Sequence, residues 1–550
     1  MSKLNLRAAA LAATVGALAL GAAAWAGARS GPQSLVDLIR SGRREAALAA
    51  IAAPGVRVNA TAPDGSTPLL WATYNADHRM VRALLKRGAK VNLANRFSDY
   101  PLTEAVKLGD VGLVRMLLDA GANADSPNQD GQTALMLASS IGSVPIAEML
   151  IGRGAQVNAV ERFRGQTALM WAAAQNHPRV VALLLRHGAK KDVNRRAKFD
   201  DWPRQMTSEP RAQFRHGGGL TALLYATRSG CYRCAVAIVK AGADVNEPNP
   251  DGITPLINAI DNHSFDIAMF LLDRGAYPGA WDMYGRTPLY VAVDMNSFDP
   301  RKLFFGFGFG RPPLPRPKSK ATAMDVVNRL LAMGVDPNHE LTRMRPNGNG
   351  RGRFEEYMLR GGATPVLVAA MRYDNVALKA LIAHGADVNI ANVFRITPLM
   401  AAAGMRGSGF FRAMFERGVQ ARAIKTIDLL LKAGAKINAR VTDSHTYTAK
   451  LVAYVHGRDL EGQTALFAAA QLGWNEVVKH LLDRGADAAL RDDSGKTALD
   501  YARHPPRFFA GPAARARGLD KSVAAARLAT VALLEKVVPN AGIGAGVARP

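Results

Sequence analysis

Hydrophobic positions along this 550-residue chain follow a helical period, and the pattern is reset by a recurring short block. The block has the form T-[PA]-L, or T-P-V once. It begins at Thr67, Thr133, Thr167, Thr221, Thr254, Thr287, Thr364, Thr397, Thr464 and Thr497, and Tyr100-Pro101-Leu102 fills the gap between the first two. Successive anchors lie 33, 33, 34, 54, 33, 33, 77, 33, 67 and 33 residues apart. Thr supplies a side-chain acceptor for a helix N-terminus, and Pro suits the first helical position, where the amide has no intrahelical partner. Small and large apolar residues then alternate at helical spacing, which predicts a first helix with one buried stripe.

A second motif, L-L-x-x-G-A-x-x-N, follows each of the first ten anchors. It reads LLKRGAKVN from Leu84 to Asn92, LIAHGADVN from Leu381 to Asn389 and LLKAGAKIN from Leu430 to Asn438, with weaker copies at Leu271–Gly279 and Leu330–Asn338. Its glycines, among them Gly88, Gly121, Gly188 and Gly242, stand where a second helix needs a left-handed cap. Asp64-Gly65, Asp130-Gly131 and Asp251-Gly252 suit a tight hairpin turn before the next anchor. A unit of this size cannot bury its apolar face alone, so neighbours must stack.

Two motifs in fixed register, over about Leu35 to Leu534, resemble the ankyrin-repeat family, in an exported bacterial form. The resemblance implies an all-α ankyrin-repeat solenoid. Each repeat would be a helix-turn-helix with a β-hairpin finger, and about 11 repeats would lie between caps. The family usually has His after T-P-L. Here the position holds Leu70, Met136, Met170, Leu224, Ile257, Tyr290, Leu367, Met400, Phe467 and Asp500, so apolar packing is expected to replace the histidine hydrogen bonds. Trp71 and Trp171 belong to the same packing.

The expected layout starts with a signal peptide at 1–26. Lys3 and Arg7 precede an apolar run, and Ala24-Trp25-Ala26 places the cleavage after Ala26. The protein is therefore expected in the periplasm or secreted; an uncleaved anchor is the alternative. A capping half-repeat at 33–62 uses Leu35, Val36, Leu38, Ile39, Leu48 and Ile51. Repeats follow at 63–189, 220–295, 321–403 and 423–502. Insertions fall at 190–219, 296–320, 338–362, 404–422 and 440–461, and a cap helix and basic tail at 503–550.

Net charge is +25, but its distribution is uneven. The inserted stretches carry +14, the tail 502–550 carries +6 and the signal +2, so the repeat framework is almost neutral. Thirteen of the 19 Phe lie in those insertions and tail, for instance Phe199, Phe304, Phe410 and Phe508. Either the rings pin the insertions to the array, or Arg and Phe together form a binding surface. Charge confined to such segments argues against nucleic acid as a partner.

The resemblance implies protein binding at finger tips and at the exposed end of the first helix. By register the tips hold Arg96, Phe97, Arg162, Phe163, Arg164, Tyr284, Phe394 and Arg395. The helix positions hold Tyr74, Gln175, Arg228 and Arg372, with Lys107, Asp294 and Gln471 alongside. Expected partners are one or more proteins, with acidic surfaces favoured by the charge. An anionic polymer or a membrane surface is the second reading.

Chemistry leaves little trace. Gly495-Lys496-Thr497 has Leu490 where a phosphate loop needs Gly, and no strand precedes it. No catalytic, metal-ligating or cofactor-binding constellation stands out, so no cofactor and no enzyme activity are expected. Cys231 and Cys234 form the one pair with possible redox use; packing, or a local disulfide in an oxidising compartment, is the plainer reading.

Overall fold

The computed structural model describes residues 34–199, 218–297, 319–342, 361–405, 418–442, 460–504 and 519–538. The signal segment with its cleavage after Ala26, the centres of the five insertions and most of the tail lie outside the described residues, as does every Phe named above for the insertions except Phe199.

The chain divides into two compact units, Met1–Gln156 and Val157–Pro550. The 34-residue anchor interval that spans this point, close to the usual 33, does not show the division.

The first unit is built from helix pairs. Leu35–Arg40 with Arg44–Ala52 forms the N-terminal cap, and Leu35, Val36, Ile39 and Ile51 are buried in it. Then come Pro68–Tyr74 with His78–Lys86, Pro101–Leu108 with Val111–Asp119, and Ala134–Ile141 with Val144–Gly152.

In the second unit the pairs are Ala168–Ala174 with Pro178–Arg186, Ala222–Ser229 with Tyr232–Lys240, and Pro255–Asp261 with Phe265–Asp273. Next are Pro288–Ser297 with Ala323–Ala332, Pro365–Arg372 with Asn375–Ala383, Pro398–Ala402 with Val419–Lys432, and Ala465–Leu472 with Asn475–Asp483. Ala498–Arg503 and Leu519–Glu535 follow. Two insertions separate a first helix from its second, after Ser297 and after Ala402. The helix from Val419 runs through the end of the expected 404–422 insertion and is 14 residues long.

The anchors act as read. Thr67 Oγ1 accepts from Leu70 N at 3.1 Å, and Thr221, Thr254 and Thr364 repeat the bond at 3.3 Å. Tyr100 lacks this cap; its own N–H donates to Thr103 Oγ1 at 3.1 Å. The residues standing for the family histidine are buried from Leu70 through Phe467, and Asp500 forms a capping box with Thr497. Trp71 and Trp171 are half-buried, and among the described residues their buried indole N–H groups have no hydrogen-bond partner.

The motif asparagine has a role its spacing did not reveal. Asn92 donates to Gly121 O at 3.0 Å and accepts from Asn123 N at 2.8 Å, clamping the end of the next second helix. Asn194, Asn246, Asn338, Asn389 and Asn438 make the same two bonds, each to the repeat after its own. Each carbonyl belongs to the left-handed glycine just past the helix C-cap, so the clamp satisfies a backbone group of that turn that would otherwise need water. Gly279 stands at this position in its repeat and has no side chain to offer.

Fingers are closed by turns rather than ladders. Among the described residues β-pairing is limited to the bridges Phe199–Gly218 and Arg491–Thr497. An Asx turn shapes most tips: Asn392 Oδ1 accepts from Phe394 N at 3.0 Å and Ile396 N at 3.0 Å. Each base is pinned by one bond, such as Asn249 N to Ile253 O at 3.0 Å. The long fingers keep it: Ala197 N to Leu220 O at 3.0 Å, Leu341 N to Ala363 O at 3.0 Å and Val441 N to Gln463 O at 2.8 Å. Insertion therefore lengthens a finger without changing its root. Neighbouring fingers join by a backbone bond, Met283 N to Asp251 O at 2.9 Å, and a Cβ on Gly252 would meet Asp282 Cα at 3.1 Å.

Candidate protein-binding surface

In the first unit the finger at Arg96-Phe97 presents a rigid aromatic tip. Asn95 Oδ1 accepts from Phe97 N at 3.0 Å and Asp99 N at 2.9 Å, and Arg96 N donates to Asp64 O of the preceding finger at 2.9 Å. Gln129 Nε2 donates to Arg96 O at 2.7 Å. With its backbone held on both sides, the Phe97 ring stands 62% exposed. Tyr74, also exposed, meets the Trp71 ring edge-on at 5.5 Å. Lys107 is occupied: burial opposes its charge, but bonds to Glu104 and Asp99 outweigh that and raise its pKa.

In the second unit the Arg162-Phe163-Arg164 tip has one extra residue and is built on a carboxylate. Glu161 is buried, and its oxygens accept from Phe163 N at 2.7 Å, Arg164 N at 2.6 Å and Gln166 N at 3.0 Å. Lys198 N, on the next finger, donates to Arg164 O at 2.7 Å, and a Cβ on Gly165 would meet that Lys198 N at 3.0 Å. Phe163 is 66% exposed, and Arg162 and Arg164 are exposed beside it. Gln175, at the C-cap of its helix, is exposed. Arg228 is exposed as a residue and lies over the Tyr225 ring at 4.9 Å.

Three expected contacts are corrected. Tyr284 is 3% exposed and Phe394 is 8% exposed, so both rings point inward. Tyr284 lies under a crowded stretch. Thr342 N donates to its carbonyl at 3.1 Å, a Cβ on Gly285 would meet Thr342 N at 2.5 Å, and Arg286 stacks at 5.7 Å from its ring. In the Phe394 finger, Arg395 takes the exposed turn position in the left-handed region, with φ 58°. Arg372 is committed to Asp294 at 2.7 Å and to the Asp294 carbonyl at 2.6 Å. Asp294, expected on the same face, is buried by that pairing.

A polar cluster that the spacing did not signal underlies the Tyr284 finger. Arg286 is fully buried between Asp282, at 2.7 Å, and Asp261, at 3.2 Å. Burial opposes its charge, but the two carboxylates outweigh that and raise its pKa further. In the last finger Asp492 accepts from Tyr501 Oη at 2.7 Å, and burial with this bond pushes the Tyr501 pKa up to about 12.

Cys231 and Cys234 are joined as a disulfide at the N-terminus of the Tyr232–Lys240 helix, and both are buried. Among the described residues no three His, Cys, Asp or Glu side chains gather as a metal site, and no helix is long and apolar enough to cross a membrane.

A family model described as "Ankyrin repeats (3 copies)" matches residues 35–128, 102–197, 223–305 and 419–504, together more than half the chain. Mitochondrial disaggregase of Homo sapiens is 26% identical over 191 residues, covering 34% of this chain and 24% of that protein. Mitochondrial disaggregase of Bos taurus is 28% identical over 185 residues, covering 34% of this chain and 20% of that protein. The Neurogenic locus Notch protein of Drosophila melanogaster is 34% identical over 116 residues, covering 21% of this chain and 4% of that protein. The chain thus spans a quarter or less of the curated relatives it matches. With the repeat motifs, the paired helices and this match in agreement, the chain belongs to the ankyrin-repeat family, whose arrays are protein-interaction scaffolds.

Proposed function

We propose that the chain is a non-catalytic scaffold or adaptor that works outside the cytoplasm, binding one or more proteins through its finger tips. The observation that carries this is the 66% exposed Phe163 on a turn held by the buried Glu161 carboxylate and by Lys198 N of the next finger. A large exposed ring on a fixed backbone beside arginines has the composition of an interface hot spot. The periplasmic or secreted location is supported by the signal-type segment 1–26 and by the buried Cys231–Cys234 disulfide, which suits an oxidising compartment. Burial of both sulfurs also counts against thiol exchange as the function, because exchange needs access.

Crosslinking with mass spectrometry on intact cells tests the reading. Wild type should yield discrete protein partners, and Phe97→Ala or Phe163→Ala should remove at least one. An identical partner set in both variants would sink the finger-tip assignment.

The charge gives a second reading, electrostatic binding to an anionic polymer or membrane surface, because +20 of the net charge lies in insertions and tail. That mode should weaken steeply with salt in proportion to the charges neutralised, whereas a docked protein interface should not.

A further inference from the structure

Arg164 and Arg228 belong to different repeats that Gln166 joins through Tyr225, one on a finger and one in the last turn of the Ala222–Ser229 helix. The Arg228 guanidinium lies 4.9 Å from the centroid of Tyr225, and that of Arg164 lies 5.7 Å from the centroid of Phe163. Gln166 Nε2 donates to Tyr225 Oη and holds the ring under Arg228. Packing around the partly covered Arg228 side chain lowers its pKa; Tyr225 opposes this and Arg164 adds to it, so the two cations lie within electrostatic range of each other. The carboxylate beside them, Glu161, spends its oxygens on the amides of its own turn. Among the described residues no acid pairs with Arg164 or Arg228, whereas Arg196 has Glu247, Arg286 has Asp282 and Asp261, and Arg372 has Asp294. Lys198 is turned aside, with its Nζ on Arg162 O.

Each guanidinium lies over an aromatic face and has no acid partner among the described residues, so each keeps N–H donors of the kind that takes a carboxylate. Phe163 supplies an apolar surface next to them. We propose that Arg164 and Arg228 form a receptor for an Asp or Glu side chain on an extended segment of a partner protein, with Phe163 covering the adjacent apolar residue. The proposal rests on the scaffold reading and names the chemistry of its partner. Lys198, with its Nζ on Arg162 O, is not part of the receptor.

The test is selection of random dodecapeptides displayed on phage against the purified full chain, followed by fluorescence titration of the enriched sequences as synthetic peptides. Enriched peptides should hold Asp or Glu beside an aliphatic or aromatic residue. Arg164→Ala and Arg228→Ala should each weaken binding about tenfold or more, and Arg228→Lys should recover little of it because the planar fork is lost. Changing the peptide acid to its amide should erase the difference between wild type and variant. Arg179→Ala, on the exposed part of a second helix, should leave binding unchanged. Unchanged thermal midpoints exclude misfolding as the cause. Enriched peptides lacking an acid, or bound equally by both variants, would overturn the receptor and leave the scaffold standing. Failure to enrich any peptide, with heparin bound instead and weakened by both variants, would overturn both.

Discussion

Arg372 and Asp294 face each other at 2.7 Å from the ends of two first helices that are 78 residues apart in the chain. The pair joins two successive repeats across both the 298–318 and the 343–360 stretches of sequence, and both side chains are largely withdrawn from solvent. It explains why an arginine in register with exposed contact positions is not a contact.

Removing one partner would leave a buried charge uncompensated. Arg372→Ala is expected to cost about 3 kcal/mol, while the double change Arg372→Met with Asp294→Leu should cost far less. Urea unfolding midpoints of the three proteins check this; equal losses in single and double variants would contradict it.

The asparagine clamp predicts a local effect. Asn246→Ala removes a donor to Gly275 O and an acceptor for Tyr277 N, and should cost about 1–2 kcal/mol in all. Hydrogen exchange should quicken around residues 271–277 first. Uniform acceleration across the second unit would show that the bonds are not a repeat-to-repeat lock.

Tyr501 and Asp492 predict a pH response at the C-terminal end. The Tyr501 pKa is raised to about 12 in the folded chain by burial and the Asp492 carboxylate. A group with a raised folded pKa contributes stability that is fully present below its unfolded pKa, about 10, and lost as pH rises through the folded value. Thermal midpoints should therefore fall between about pH 10 and 12, and the fall should be smaller in Tyr501→Phe. Asp492 is opposite in sign. Burial opposes its charge, but the bonds from Tyr501, Ser494 and Lys496 outweigh that and lower its pKa, so its contribution is lost as pH drops below about 4.

The Cys231–Cys234 bridge closes a very short loop, so loop entropy gives it about 2 kcal/mol at most. Cys→Ser at both positions should lower the thermal midpoint modestly and leave the crosslinked partner set unchanged. Loss of partners without loss of fold would reopen a redox role.

Much of this fold is legible in the sequence alone. Helix starts, left-handed glycines and apolar stripes are local properties, and a motif repeated every 33 residues states them many times over. The direction of a finger-tip ring is not local. Phe97 and Phe394 share a register, yet one is exposed and the other buried, because the answer depends on what the neighbouring finger brings against the turn. The commitment of Arg372 to Asp294 was hidden for a similar reason, since the insertion separates the two in sequence. The Asn clamp was visible as a conspicuous letter in the motif, but its acceptor lies one repeat on. The division after Gln156 leaves no mark, because the anchor spacing runs through it.

The central claim is that an exposed ring on a fixed finger docks on a protein. A photoreactive phenylalanine analogue placed at position 163 tests it most directly, with the same analogue at Val376, an exposed position on a second helix, as reference. Position 163 should give a discrete crosslinked protein in intact cells, and position 376 should not. The same products at both positions, or none at 163, would contradict the account.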